Sequence, residues 1–188
     1  AIGDSALISN TTASSNTAVG YQAAYSNTTG QNTAFGAQAL YSNTTGLSNT
    51  AIGGTTTTIG AALGLNTTGS YNTAVGNGAL LANTTASNNT AVGYQAGYNN
   101  TGTENTFLAK GAGYSLTTGN YNLFVGYHAG YFSTTGSYNT YVGHATGPVT
   151  TASTGSYNTA LGQSALAANT TASNNNAVGY KALYANTT

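Results

Sequence analysis

The chain has 188 residues, a formal net charge of zero, two residues in all from lysine and arginine, two acidic residues and no cysteine. So few cations exclude a nucleic-acid surface, which needs clustered Lys and Arg. The lack of cysteine excludes disulfides and thiolate metal sites, and no apolar run approaches the roughly 18 residues of a transmembrane helix.

A short repeat organises the whole chain. The pentapeptide Asn-Thr-Ala-Val-Gly begins at Asn16 and recurs with small changes, most often after 17 residues. The asparagines that open the units are Asn16, Asn32, Asn49, Asn72, Asn89, Asn105, Asn122, Asn139, Asn158 and Asn175. Residues 1–188 are therefore read as a single tandem array. Because the first and last units are incomplete, we expect the array to be truncated within a repeat at both ends.

The composite unit N-T-A-V-G-Y-Q-A-L-Y-S-N-T-T-G-S-N defines positions 1 to 17. Thr-Ala-Val predicts a first short strand, the glycine at position 5 a bend, Gln-Ala-Leu-Tyr a second strand, and Asn-Thr-Thr-Gly the return turn. Helical repeats are longer and need helix formers, whereas Thr, Asn and Gly are poor in helices. The repeat predicts an all-β fold, a parallel β-solenoid (β-roll) of about eleven coils with roughly 17 residues per coil.

Two units are longer than the others. The unit that begins at Asn49 has about six extra residues within 54–60, and the unit that begins at Asn139 has about two, around 147–149. Insertions leave a solenoid as loops without disturbing the stack. We therefore expect loops near 54–60 and 147–149, and these are candidate places for a local binding site.

Apolar residues occur in adjacent pairs, such as Ala18-Val19 and Ala34-Phe35. Adjacent side chains of a strand point to opposite faces, so one of each pair fills the coil and the other faces outward. A repeated outward apolar stripe is typical of an interface. The pattern predicts self-association, most simply as a homotrimer, with lateral packing into a filament as the alternative.

The pentapeptide Asn16-Thr17-Ala18-Val19-Gly20 and its nine partners resemble two groups of repeats. One is the head repeats of trimeric autotransporter adhesins, whose period is shorter; the other is the Asn-Thr-Ala-Val-Gly repeats of phage and bacterial tail fibres. The resemblance covers the whole chain. It implies a left-handed parallel β-roll, a homotrimer and a role in surface attachment.

The residues that could support chemistry are few. Asp4 and Glu104 lie at least five coils apart and cannot act as a pair within one chain. His128 and His144 fall in neighbouring units, where a shared metal is conceivable but a polar replacement on an outer face is the favoured interpretation. The sequence therefore predicts no catalytic, metal or cofactor-binding residues, and we expect the chain not to be an enzyme.

The asparagines fall into two groups. Asn-X-Thr sequons, which are candidate N-glycosylation sites, begin at Asn10, Asn27, Asn43, Asn66, Asn83, Asn88, Asn99, Asn169 and Asn186. Most lie at position 12. Leu116 and Ser133 replace Asn at this position while the turn sequence is kept, so the turn does not require Asn here, and this favours an exposed edge bearing glycans. A ladder of stacked amides is the alternative. The opening asparagines are never replaced, so they are predicted to form a structural turn ladder.

These patterns favour a non-enzymatic structural repeat of a fibre, filament or adhesin shaft at an extracellular, cell or virion surface, with itself as the main partner. An alternative is a binder of cell-surface carbohydrate or a receptor, using the position-6 tyrosines Tyr21, Tyr94, Tyr127 and Tyr180. Ice binding ranks behind both, because the conspicuous Thr pairs are adjacent and lie at a turn.

Overall fold

The fold is a parallel β-solenoid, as the repeat predicts. The computed structural model describes residues 1–55 and 60–187, and its ten strands pair in chain order in one parallel ten-stranded sheet. The strands are β1 (Thr17–Val19), β2 (Thr33–Phe35), β3 (Thr50–Ile52), β4 (Thr73–Val75), β5 (Thr90–Val92), β6 (Thr106–Leu108), β7 (Leu123–Val125), β8 (Thr140–Val142), β9 (Thr159–Leu161) and β10 (Asn176–Val178). The incomplete first unit adds only a bridge between Ile2 and Val19, so there are slightly fewer coils than the eleven expected.

The strands stack in exact register along the sheet. In the pairing of β3 with β4, Thr50 lies beside Thr73, Ala51 beside Ala74 and Ile52 beside Val75. At a strand spacing of about 4.8 Å, nine such steps make a sheet about 43 Å long. Every repeat position therefore becomes a row that runs along the molecule.

Each strand is three residues long because a bend follows at once. Gly20, at position 5, has φ +130°, and a Cβ on it would lie 2.6 Å from the backbone carbon of Gly36 in the next coil. Successive coils touch through these bends, which leaves no space for a side chain. Ala109 occupies the same position at φ 109°, a conformation that is strained for a residue with a Cβ.

The predicted second strand is wrong. In the segment 37–41, Gln38 and Leu40 have φ of 57° and 56°, and Tyr41 donates its N–H to the Gln38 carbonyl at 3.2 Å, closing a turn. The left-handed region costs roughly 1–2 kcal/mol for a non-glycine residue. Inter-coil bonds offset this cost, since the N–H of Gln38 bonds to one neighbouring coil and the N–H of Leu40 to the other.

Each strand contributes one side chain to the interior, at position 3, and the filling of the coil depends on this residue and on position 9. In five of the ten coils that have a strand, position 3 is alanine and position 9 is leucine, as in Ala74 with Leu80, both fully buried. Two coils have a small residue at both positions, Ala18 with Ala24 and Ala91 with Gly97. In three coils the position-3 residue is aromatic and position 9 is glycine; the pairs are Phe107 with Gly113, Phe124 with Gly130, and Tyr141 with Gly147. A Cβ on Gly147 would collide with the ring of Tyr141. In these coils the ring takes the space that a leucine at position 9 would fill, as close packing requires, and the Phe107 ring also lies against Gly97 of the coil before.

The second insertion leaves the coil slightly later than expected. Gly147 and Val149 keep their inter-coil bonds to the carbonyls of Ala165 and Ala167, and Ser153 bridges to Ser133. Residues 150–152 are therefore inserted, just beyond the 147–149 that were expected, and the return turn at Thr154-Gly155 is one residue shorter, so that the unit exceeds 17 residues by two. Of the first insertion, residues 56–59 lie outside the described part of the chain.

Exchanging the core pair in one coil tests the volume argument. Tyr141→Ala should lower the free energy of unfolding by about 3–5 kcal/mol through the cavity it opens, and Gly147→Leu alone should lower it by about 1–3 kcal/mol through overpacking. The double variant rebuilds the Ala–Leu pair and should recover about half of the Tyr141→Ala loss, measured by urea unfolding. Losses that simply add would contradict this account.

Candidate functional site: two asparagine rows, an exposed sheet face and aromatic rows

The opening asparagines form one continuous row through the described coils. The side-chain Oδ1 of each accepts the backbone N–H of the opening asparagine of the next coil, from Asn16 to Asn32 at 2.7 Å and onward to Asn175. Each Nδ2 from Asn32 to Asn158 donates to the position-15 carbonyl of its own coil, as Asn72 does to Ala86 at 2.9 Å. Replacing one of them would leave buried backbone groups without a hydrogen-bond partner, which explains why all ten units have Asn here.

The expectation that position 12 is exposed is wrong. Five of its sequon asparagines are fully buried; they are Asn27, Asn43, Asn66, Asn83 and Asn169. The first four bond to one another, since each Nδ2 from Asn43 onward donates to the Oδ1 of the coil before at 2.8 to 2.9 Å. Their Nδ2 also donates to the carbonyl three residues on, as in Asn27 to Gly30. A glycan on these nitrogens is incompatible with this packing.

The replacements at position 12 have a packing explanation. Leu116 is fully buried and Ser133 is 2% exposed, and each lies in a coil that has a phenylalanine at position 3. The amide row stops at Asn83, two coils before Leu116, and the Asn83 Oδ1 is buried without a partner. In the next coil the return turn is one residue shorter, and the Asn100 amide donates to Gly102 instead. Replacement here therefore marks a change of core filling rather than exposure.

The remaining sequons are outside the buried row. Asn88 is exposed, with φ 61°, and Asn10, Asn99 and Asn186 are partly buried. The amide of Asn10 donates to the Ala13 carbonyl at 3.0 Å. N-glycosylation stays a prediction for these four residues, and it cannot produce the regular row along one edge that the sequence suggested.

The outer face of the sheet has two rows of side chains. Position 3 points inward, and positions 2 and 4 point outward. Position 4 is apolar throughout, and its most exposed members among the strands are Val178 at 70%, Phe35 at 55% and Leu161 at 48%. Position 2 is threonine in eight of the ten strands. Parallel sheets are usually covered on both faces, and none of the strands or turns within 1–55 and 60–187 covers this one.

The aromatic side chains form rows at positions 10 and 17. Tyr114 stacks on Tyr98 at 5.1 Å and on Tyr131 at 4.9 Å. At position 17, Tyr138 stacks on Tyr121 and Tyr157 at 4.8 and 4.9 Å. In these rows the ring faces are already occupied by other rings.

The position-6 tyrosines proposed as a stacking platform do not form one. Asn77 and Lys110 occupy position 6 on either side of Tyr94, and Lys110 and His144 on either side of Tyr127. Tyr21 and Tyr180 are further away along the row. A neutral platform of adjacent rings is therefore not assembled at this position.

The acidic groups, Asp4 and Glu104, lie far apart along the chain. Glu104 raises the pKa of Tyr121, mainly through its charge, and burial raises the pKa of Tyr141. Within residues 1–55 and 60–187, no three His, Cys, Asp or Glu side chains are grouped to hold a metal ion and no pocket is present. The same residues contain no helix long and apolar enough to cross a membrane.

The structure thus defines a charge-poor parallel β-solenoid whose turns are joined by buried asparagine side chains. No protein-family model, no curated protein and no solved structure matches the chain. The resemblance to adhesin heads and tail-fibre repeats stays a prediction.

Removing one amide from the continuous row tests its structural role. Asn72→Ala takes the acceptor from the Asn89 N–H and a donor from the Ala86 carbonyl. It should lower the free energy of unfolding by about 2–4 kcal/mol, because buried groups lose partners. The control Thr85→Ala, at an exposed position of the same coil, should change it by no more than about 0.5 kcal/mol. Similar small losses in both variants would contradict the assigned role.

Proposed function

We propose that this chain is a non-enzymatic structural segment of an extracellular fibre, filament or adhesin shaft, which associates with copies of itself through the outer face of its sheet. The observation that supports this is the uncovered apolar row at position 4, which runs along all ten strands. Covering such a row removes apolar surface from water at about 25 cal/mol per Å². In-register rows on each copy allow many equal contacts along the length.

The shape and charge of the molecule support the same role. A stack of coils transmits load along its axis through inter-coil hydrogen bonds, and each coil contacts only its neighbours. The net charge is zero, so little repulsion opposes the approach of a second copy. Three copies around one axis is the simplest closed arrangement, and lateral packing gives a filament.

Charges placed on the outer face test self-association. The chain is expected to sediment at a multiple of its 18.6 kDa mass. Ile52→Lys with Val92→Lys, both at residues that are 40% exposed, should yield folded monomer because a buried lysine without a partner is costly. The control, Thr68→Lys with Thr85→Lys, adds the same charge at exposed positions of the return turn and should leave the oligomer intact. A wild-type chain that is monomeric at all concentrations would overturn the proposal.

One structural observation supports ice binding as a second candidate function. The threonines at position 2 form a row on the sheet itself, in register from Thr33 to Thr50, Thr73 and Thr90. Together with the apolar row beside it, this is an uncharged surface with a regular spacing of about 4.8 Å. It differs from the adjacent Thr pairs of the turn, on which the sequence argument relied.

Thermal hysteresis distinguishes the two functions, because both need the same face. An ice-binding chain should show hysteresis that is lost in Thr73→Lys with Thr90→Lys and kept in the turn control above. Absence of hysteresis in a monomeric preparation would reject ice binding and leave self-association as the use of this face.

A further inference from the structure

The basic side chains of the chain are not evenly distributed. The sequence contains two lysines and two histidines and no other basic residue. Lys110, His128 and His144 lie in three consecutive coils, at positions 6, 7 and 6. Together with Tyr94 and Tyr127 they form what we call the basic-aromatic cluster.

The members of this cluster contact one another along the row. The Lys110 Nζ lies 5.8 Å from the ring centre of Tyr94 and 5.7 Å from that of Tyr127. The Tyr127 ring stacks on His128 at 3.9 Å and on His144 at 5.2 Å, nearly parallel to both. The cation is thus held between two rings by cation–π contacts, and the imidazoles continue the row.

The cluster is a local region of positive potential on a neutral surface. Partial burial, followed by the charges of Lys110 and His144, lowers the pKa of His128. The groups around His128 are Lys110 in the coil before, His144 in the coil after, and Tyr127 and Tyr131 in its own coil. None of these is an acid, so the positive charge is not neutralised from within the cluster.

The form of the cluster indicates the kind of ligand. Lys110, Tyr94, Tyr127 and His144 are all exposed, and no pocket encloses them within the described residues. An open row of this kind suits an extended ligand rather than a small molecule, which is usually bound in a concave site. Nucleic acid needs cations along its whole track, and the rest of this surface provides almost none.

We propose that the basic-aromatic cluster binds an acidic oligosaccharide, one that has carboxylate or sulfate groups on its sugar rings. Lys110 pairs with one acid group in a charge-assisted contact, and His128 adds a second such contact when its imidazole is protonated. The exposed parts of Tyr94 and Tyr127 contact the apolar C–H surfaces of the sugars, and their hydroxyls bond to sugar hydroxyls. This binding site is separate from the outer face of the sheet and does not depend on self-association.

Calorimetric titration of the full chain tests the proposal with three probes: a sulfated heparin oligosaccharide, an oligogalacturonate and neutral dextran. Lys110→Gln is the test variant. Lys181→Gln is its matched control, because Lys181 also lies over two tyrosine rings, at 5.3 Å from Tyr180 and 5.6 Å from Tyr184, without histidines in the coils beside it. Equal melting temperatures will establish that both variants are folded.

We expect at least one of the two acidic probes to bind, and we expect no binding of dextran. Lys110→Gln should weaken binding by about tenfold, as for the loss of one charged contact, while Lys181→Gln should leave it unchanged. Binding should tighten on acidification from about pH 8 to about pH 5, because the His128 imidazole gains charge, and its lowered pKa places this gain below the usual imidazole range. In His128→Gln with His144→Gln this tightening should be absent.

Four results would overturn the proposal. They are no binding of either acidic probe at about pH 5, equal binding of dextran, equal weakening in Lys110→Gln and Lys181→Gln, and equal affinity for a single-stranded DNA oligonucleotide of the same charge. The last result would identify a general polyanion surface instead of a site for acidic sugars.

Discussion

The stack depends on buried amide hydrogen bonds at the return turn. The turn carbonyl at position 15, such as that of Ala86, accepts from the Asn72 and Asn83 side chains, and the Asn72 Oδ1 accepts the next coil's N–H. The first two bonds fix the turn within a coil, and the third joins the coil to the next one where there is no strand pairing. Because the groups are buried, each missing partner would cost about 1–3 kcal/mol, so a coil closes in one register only. A nearly charge-free chain thereby obtains its specificity from neutral amides.

A thin interior imposes the second constraint. With one inward residue per strand, a ring at position 3 must be matched by the absence of a side chain at position 9, as in Phe124 with Gly130. The same three coils depart from Asn at position 12, where the core contains Leu116, Ser133 and Ser153. Core filling and amide pairing therefore change together along the chain, while the sheet register stays constant.

The repeat predicted the solenoid, the first strand, the bend at position 5 and the structural role of the opening Asn, because each rests on a residue type that recurs with the period. The second strand was wrong because nothing in Gln38 or Leu40 signals a positive φ, which inter-coil bonds impose. The burial of position 12 was missed because replacement by Leu116 was interpreted as tolerance of exposure. An apolar replacement equally signals burial, and comparing positions 3, 9 and 12 within each coil would have shown it.

The outer face and the basic-aromatic cluster both depend on the register that the buried asparagine side chains maintain. If one coil shifted in register against its neighbours, equal repeat positions would no longer lie beside one another and the rows would be interrupted. Hydrogen exchange at the backbone amides of Asn72, Asn89 and Asn122 tests this directly, because all three lie outside the strands and donate only to side-chain oxygens. The account predicts that they exchange as slowly as the strand amides, through global unfolding. Exchange as fast as at the exposed turn residue Thr85 would show that the asparagine row does not hold the coils together.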